Sequence, residues 1–350
     1  KRIDRPVKAL PIELASQRGR PQKYHFSTRL RTLILHEAMK PILLALSSLV
    51  TSTLTFSAQA QELKAIDQKA FRELFPPNAQ IRTLGSDFSF TEGPAWIGGE
   101  NGYLIFSDIP ADKIYRWNGG ADFSIYREPS QQSNGNNLDL QGRLVTAEHW
   151  GRKVSLAKRD GSLITLIDSY QGKKLNSPND VVVKSDGTLW FTDPDYGLGK
   201  RVKEQEGNFV YRYDPLTKEL AVVVDDFEKP NGLCFSPDES KLYIADSGSP
   251  KHIRVFSVET DGRLSGGRVF AALDQGGPDG MRCDESGRLW TSSGDGAQVF
   301  SPQGKLLARI LLPKGGANLC FGGSDGRTLF ITARNAVYSV ETKNRDAHRR

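Results

Sequence analysis

A sixfold internal repeat constrains this 350-residue chain more than any other feature. From Asn179 the chain reads N-D-V-V-V-K-S-D-G-T-L-W-F-T-D: a polar residue, a short apolar strand, an Asp-Gly turn and a second apolar strand. That is hairpin chemistry. The frame recurs from Asn134, Asn231, Asp279 and Asn318, with a looser copy from Glu92 (E-G-P-A-W-I, then Y-L-I-F-S-D). The starts lie 42, 45, 52, 48 and 39 residues apart. Steps of about 40–50 residues that leave room for further strands, here over 208–213, 221–224, 253–258 and 297–300, are propeller blades rather than leucine-rich or helical repeats. No stretch from residue 92 onward carries a long helical period of apolar residues. The pattern predicts an all-β fold, a six-bladed β-propeller over 80–345. An unpaired sheet edge invites aggregation, so a strand over 80–84 is expected to pair with 337–340 and close the ring. Residues 61–79 would be a leader outside it.

The first 60 residues read differently. Met39 and Lys40 precede an apolar run, 42–50, then a Ser/Thr-rich stretch ending Ala58-Gln59-Ala60. A basic start, an apolar run too short to span a bilayer and a small-x-small cleavage site describe a secretory signal peptide. The expectation is an upstream extension over 1–38, a signal peptide over 39–60, and a mature chain from Gln61 that is periplasmic or secreted. Of the 47 basic and 41 acidic side chains, 10 and 3 fall within 1–60, leaving 37 against 38. A nucleic-acid partner needs a basic face, and this remainder has no excess to build one. After processing no membrane partner is expected either, and the chain should be a monomer or weak homodimer.

Three cysteines, Cys234, Cys283 and Cys320, are too few for a disulfide scaffold and fall at one place in the repeat, as core residues do. Three of the five histidines, His149, His252 and His348, lie beyond residue 60, and His348 is in a charged tail, so a three-histidine zinc site is close to excluded. Any metal must be held mainly by oxygen. The residue opening the first strand of each blade faces the central axis, so Glu92, Asn134, Asn179, Asn231, Asp279 and Asn318 should converge. Asn and Asp before Gly are also ordinary turn residues. Six oxygen-bearing side chains at one point are a different matter, because carboxylates and amides are hard ligands suited to calcium.

The motifs T-E-G-P-A-W (91–96), L-N-S-P-N-D-V-V-V-K-S-D-G (175–187), W-F-T-D-P-D-Y-G (190–197), K-P-N-G-L-C-F-S-P-D (229–238), L-Y-I-A-D (242–246) and G-P-D-G-M (277–281), in this order, resemble the gluconolactonase family, also called the SMP-30, regucalcin and luciferin-regenerating-enzyme-like group. The resemblance runs over about 80–340. It implies a hydrolase opening sugar lactones such as glucono-1,5-lactone, with one divalent ion, Ca2+ by preference over Zn2+, Mn2+ or Mg2+. It places the metal on Glu92, Asn179, Asn231 and Asp279, four of the six axial positions. Asp279, a ligand with a spare oxygen, is the candidate general base. Asn134, His149, Asp180, Asp193 and Tyr196 are candidates for the substrate-binding wall. The mammalian sugar-lactone members carry arginine where this chain has Ser177, whereas S-N-G-N-N-L-D (133–139) and A-E-H (147–149) resemble the bacterial members.

Three rivals stand beside this reading. A calcium-binding propeller that holds a carbohydrate without turnover would use the same axial set, since the fold hosts binders as readily as enzymes. A related phosphotriesterase-like hydrolase would use the same cage. A serine hydrolase is suggested by G-G-S-D-G at 322–326, but that motif has meaning only on a strand-to-helix elbow. Here Ser324 falls in the hairpin turn of the sixth repeat.

Overall fold

The computed structural model describes residues 61–98 and 101–348. The expected extension and signal peptide, 1–60, lie outside the described residues. Six antiparallel blade sheets follow one another along the chain, each running outward from its first strand, and a two-stranded sheet of Ser169–Tyr170 and Lys173–Lys174 lies between the second and third. The innermost strands are Thr91–Ile97, Ser133–Leu138, Val181–Val183, Pro230–Phe235, Met281–Cys283 and Asn318–Gly322, numbered here as blades 1 to 6. In blades 2 to 6 the turn after the innermost strand is set by side-chain chemistry, with Asp139, Asp186, Asp238, Asp284 and Asp325 accepting from the backbone N–H two residues on. In blade 3, Asp186 Oδ1 accepts from Thr188 N (2.9 Å) and Thr188 Oγ1 (2.6 Å), and Gly187 takes φ +87°, a conformation glycine adopts without a Cβ penalty.

Each strand packs its apolar side chains against the next blade, so six hydrophobic clusters hold six seams. Leu104, Phe106, Phe330 and Val337 fill the seam between blades 6 and 1, where the chain ends meet. There Ile81–Gly85 pairs antiparallel with Ala336–Glu341, Ile81 opposite Val340, and completes blade 6. The ring thus closes as the edge-strand argument requires. Residues 61–79 lie outside the ring of innermost strands and pack on blade 5. Glu62–Ala65 adds a fifth strand to the outer edge of blade 5, Leu63 opposite Ile310. A short helix, Gln68–Leu74, follows, capped by Asp67 and burying Leu74; Phe75 beyond it meets Trp290 edge-on, ring centroids 5.8 Å apart.

The innermost strands approach one another unusually closely at the axis. A Cβ on Gly232 would lie 2.2 Å from the carbonyl oxygen of Asp279, and one on Gly280 2.0 Å from the Asn318 side chain. The glycine that follows the axial residue is therefore what lets neighbouring blades bring those residues together.

Candidate metal and substrate site

All six axial residues gather at one end of the channel, as the repeat predicts, although Glu92, Asn134 and Asn231 sit one residue inside their strands rather than just before them. Glu92, Asn134, Asn179, Asn231 and Asn318 are buried, and Asp279 is partly open to the mouth. Hydroxyls on adjacent blades fix their backbone: Ser107 Oγ donates to Asn134 O and Thr192 Oγ1 to Asn231 O, each at 2.8 Å. Asn231 Nδ2 donates to Ser247 Oγ at 2.9 Å, which commits the amide nitrogen and leaves the oxygen for a ligand. Glu92 Oε2 accepts from Gly93 N at 2.8 Å.

Burial pushes the carboxyl of Glu92 up, and the charge of Asp180 adds to this. Burial also pushes Asp279 up, followed by the charges of Glu92 and Asp180. Among the described residues no Lys or Arg makes an ion pair with any of the three. Like charges gathered out of water need a cation or protons. Among the described residues no three His, Cys, Asp or Glu side chains converge in ligating geometry. The donors are instead two carboxylates and amide oxygens, a set that suits a hard, oxygen-seeking ion.

The expected wall residues separate. Asn134 Nδ2 donates to His149 Nε2 at 3.1 Å, while Asn134 Oδ1 is buried without a partner and faces the site as a free acceptor. His149 is packed against Gly197, where a Cβ would lie 2.5 Å from the His149 Cβ. Burial, with the Arg201 charge second, lowers the imidazole to about 4, so it is neutral at ordinary pH. Tyr196 stands half exposed at the rim, its ring under Lys229 Nζ at 5.4 Å. Burial and then the charge of Asp279 raise its pKa.

Two placements differ from expectation. Asp180 is not on the wall: it reaches the axis, where its charge acts on Glu92 and Asp279, with Oδ1 accepting from Val181 N at 2.9 Å and Oδ2 buried and unpaired. Asp193 is not at the mouth either. Its Oδ2 accepts from Asn176 N at 2.8 Å, as Asp108 accepts from Ser89 N and Phe90 N and Asp246 from Glu228 N and Lys229 N. These three aspartates end the second strand of blades 3, 1 and 4, where each pins the loop entering its own blade. Asp193 is thus a structural member of the repeat, and burial raises it to about 7.

Sequence reasoning also missed three residues. Ser247, directly after the aspartate of L-Y-I-A-D, orients Asn231 and bonds Pro278 O. Ser177, the position of the mammalian arginine, is buried, donating to Pro194 O (2.5 Å) and accepting from Gly197 N (2.9 Å), so it shapes the loop carrying Tyr196. Arg201 donates to His149 O (3.1 Å), Trp150 O (2.7 Å), Gly197 O (2.5 Å) and Leu198 O (3.2 Å), and stacks on Trp150. It clamps the two turns that carry His149 and Tyr196. Ser247 left a signal in its repeat position and Ser177 in standing where the mammalian members carry arginine; Arg201 left none. Ser324 lies in the turn joining Asn318–Gly322 to Thr328–Ala333, at the end of the blade away from the mouth and on no strand-to-helix elbow.

Residues 90–335 match the SMP-30/gluconolactonase/LRE-like region. A gluconolactonase of Zymomonas mobilis is 35% identical over 295 residues, covering 75% of this chain and 81% of the relative. A 6-deoxy-6-sulfogluconolactonase of Pseudomonas putida is 33% identical over 258 residues, covering 71% and 85%. The solved structure of a gluconolactonase from Xanthomonas campestris superposes with a TM-score of 0.76 at 34% identity, over 81% of this chain and 97% of that one. A match of the family model over most of the propeller, supported by relatives at this identity and coverage, places the six blades and their axial set in one lineage: the chain belongs to the SMP-30/gluconolactonase/LRE-like family.

Proposed function

We propose that the chain hydrolyses sugar lactones at the channel mouth, with a divalent ion, calcium by preference, held by Glu92, Asn179, Asn231 and Asp279. The observation that carries this reading is the gathering of buried carboxylates at the axis with no Lys or Arg, among the described residues, in ion-pair contact with them, beside amide oxygens left free to ligate. The relatives named as gluconolactonases support the substrate class.

When bound, a divalent ion supplies Lewis acidity toward the lactone carbonyl oxygen. Asp279, the axial carboxylate most open to the mouth, takes a proton from the attacking water as its oxygen bonds to the carbonyl carbon. The carbon to ring-oxygen bond then breaks, and the proton passes to the departing alkoxide, leaving the hydroxy acid. Asn134 Oδ1 accepts from a sugar hydroxyl, and neutral His149 holds the Asn134 amide in that orientation. Tyr196 borders the ring from the other side of the mouth.

The test combines calcium binding by calorimetry with acid release from glucono-1,5-lactone above its spontaneous rate. Glu92→Gln and Asp279→Asn should lose both, whereas Asn134→Ala and Asn318→Ala should keep the ion and change substrate affinity at most. Equal metal loss in all four would refute the division of ligands from wall. Binding without turnover in the unmutated chain would favour the carbohydrate-binding reading.

A further inference from the structure

Below the axial carboxylates the channel narrows to a cavity of about 90 Å3, room for a few waters. Its far end is closed by the carboxyl-terminal segment. Ala347 N donates to Cys283 O (3.0 Å), Glu285 N to Arg345 O (3.0 Å) and Arg345 Nε to Asp325 O (2.8 Å), and His348 Nε2 meets Ser236 O (2.9 Å). These contacts place Asp346 and His348 in the cavity floor.

Arg282 is buried in the wall of this cavity, three residues after Asp279, with Nη1 donating to Met281 O at 2.7 Å. Among the described residues it makes no direct ion pair. A guanidinium kept out of water without a contact partner is expensive unless charges act on it through the cavity. Two do, Asp180 above and Asp346 below, and against the cost of burial they hold its pKa above the ordinary value. The thiols of Cys234 and Cys320 beside it stay protonated, because burial pushes both up. The charges of this layer are therefore those of Arg282 and of the closing segment.

We infer that Arg282 is a built-in cation of the channel that sets the charge of the metal cage, cancelling Asp180 so that Glu92 and Asp279 alone are presented to a divalent ion. This rests on the metal-site reading above. Arg282 touches neither the ion nor the substrate, and acts across the cavity. Asp346 tempers it from the far side, which couples the closing segment to the cage by charge alone.

The consequence is a pair of effects with opposite sign. Arg282→Gln removes a positive charge facing the ion and should tighten calcium by about tenfold, given that buried charges a few ångströms apart interact by a kcal/mol or more. Asp346→Asn leaves Arg282 less screened and should weaken calcium by about threefold. Arg282→Lys keeps the charge and should bind as the unmutated chain does. Isothermal calorimetry with CaCl2 on the chelator-stripped protein reads all four, without reference to turnover. Loss of packing would move the Gln and Lys variants together, and that result overturns the inference, as does an unchanged constant in both Arg282→Gln and Asp346→Asn. If Arg282→Gln fails to fold, the direction of the Asp346→Asn shift decides alone. An unmutated chain that takes up no calcium refutes the metal-site reading and this inference with it, whereas one that binds calcium through Glu92 and Asp279 but ignores Arg282 refutes only the latter.

Discussion

Protonation of His149 should be a main route by which acid unfolds this propeller. The ring is buried beside Gly197 and under the charge of Arg201, and its pKa falls from 6.5 to about 4. The unfolded chain takes up its proton near the ordinary value, so between those limits the unfolded state binds more protons than the folded one. Stability contributed by the neutral ring is therefore complete above about pH 6.5 and is lost as pH falls toward about 4. The whole interval is worth about 3 kcal/mol, and about 2 kcal/mol of it is gone by pH 5. His149 is 6% exposed, so solvent screening takes little from this figure. The perturbation is His149→Gln, which keeps an acceptor for Asn134 Nδ2 and cannot titrate. Urea unfolding of both proteins in one metal-free buffer, from pH 7.5 to 4.5, isolates the effect, because every other carboxylate titrates alike in each. The unmutated chain should lose about 2 kcal/mol more than the variant between pH 7.5 and 5. Parallel profiles, agreeing within about 0.5 kcal/mol, would show that the ring keeps its ordinary pKa in the folded chain.

Three further outcomes follow from the site. Gly232→Ala sets a Cβ against the Asp279 carbonyl at 2.2 Å and should cost about 2 kcal/mol or more together with calcium affinity, while Gly277→Ala, whose Cβ meets Ser247 Cα at an ordinary 3.4 Å, should be near neutral in chemical denaturation. Arg201→Met removes four carbonyl contacts and the stacking on Trp150; KM for the lactone should rise several-fold while the rate at saturation is largely kept, and a fall in kcat alone would show that the clamp does not shape the wall. Ser324→Ala should leave lactone hydrolysis intact, since its turn is far from the mouth, and loss of most activity in a folded variant would revive the serine mechanism.

The blades and the axial set were legible in the sequence because both are written once per repeat. An apolar strand, an Asp-Gly turn and a second strand recur at each blade, so an error in one copy is corrected by the other five. Asp193 shows the same logic misapplied. Its equivalents Asp108 and Asp246 were visible in Y-L-I-F-S-D and L-Y-I-A-D, and a residue that recurs at a strand end is better read as scaffold than as substrate contact. The wall was less legible because its members occur once each. His149 pairs with Asn134 across a turn, and Arg201 reaches back over fifty residues to its carbonyls, contacts that no local pattern encodes. The strand Glu62–Ala65 was hidden for another reason: its partner is the outer edge of blade 5, about 245 residues away, and four residues of alternating exposure carry little signal by themselves.

Two departures from the repeat meet in the channel. At the position after the axial residue, blades 1, 2, 4 and 5 have glycine, because the neighbouring backbone occupies the space a side chain would need. Blade 3 has Asp180 there, and its carboxylate fits because the blade beside it supplies Gly135, where a Cβ would lie 2.4 Å from Asp180 Oδ1. The fold tolerates a third carboxylate at the axis only if a positive charge lies within reach, and Arg282 is the one guanidinium among the described residues that lines the cavity below. Asp180 and Arg282 are thus two exceptions to the repeat that make physical sense together. Exchanging Asp180 for Gly, to match blades 1, 2, 4 and 5, should leave Arg282 without its upper partner and loosen calcium, in the opposite direction to Arg282→Gln. Combining the two changes should bring the constant back toward that of the unmutated chain. A double variant whose shift equals the sum of the two single shifts would mean that the two residues act on the cage independently, whereas a departure from that sum measures their coupling.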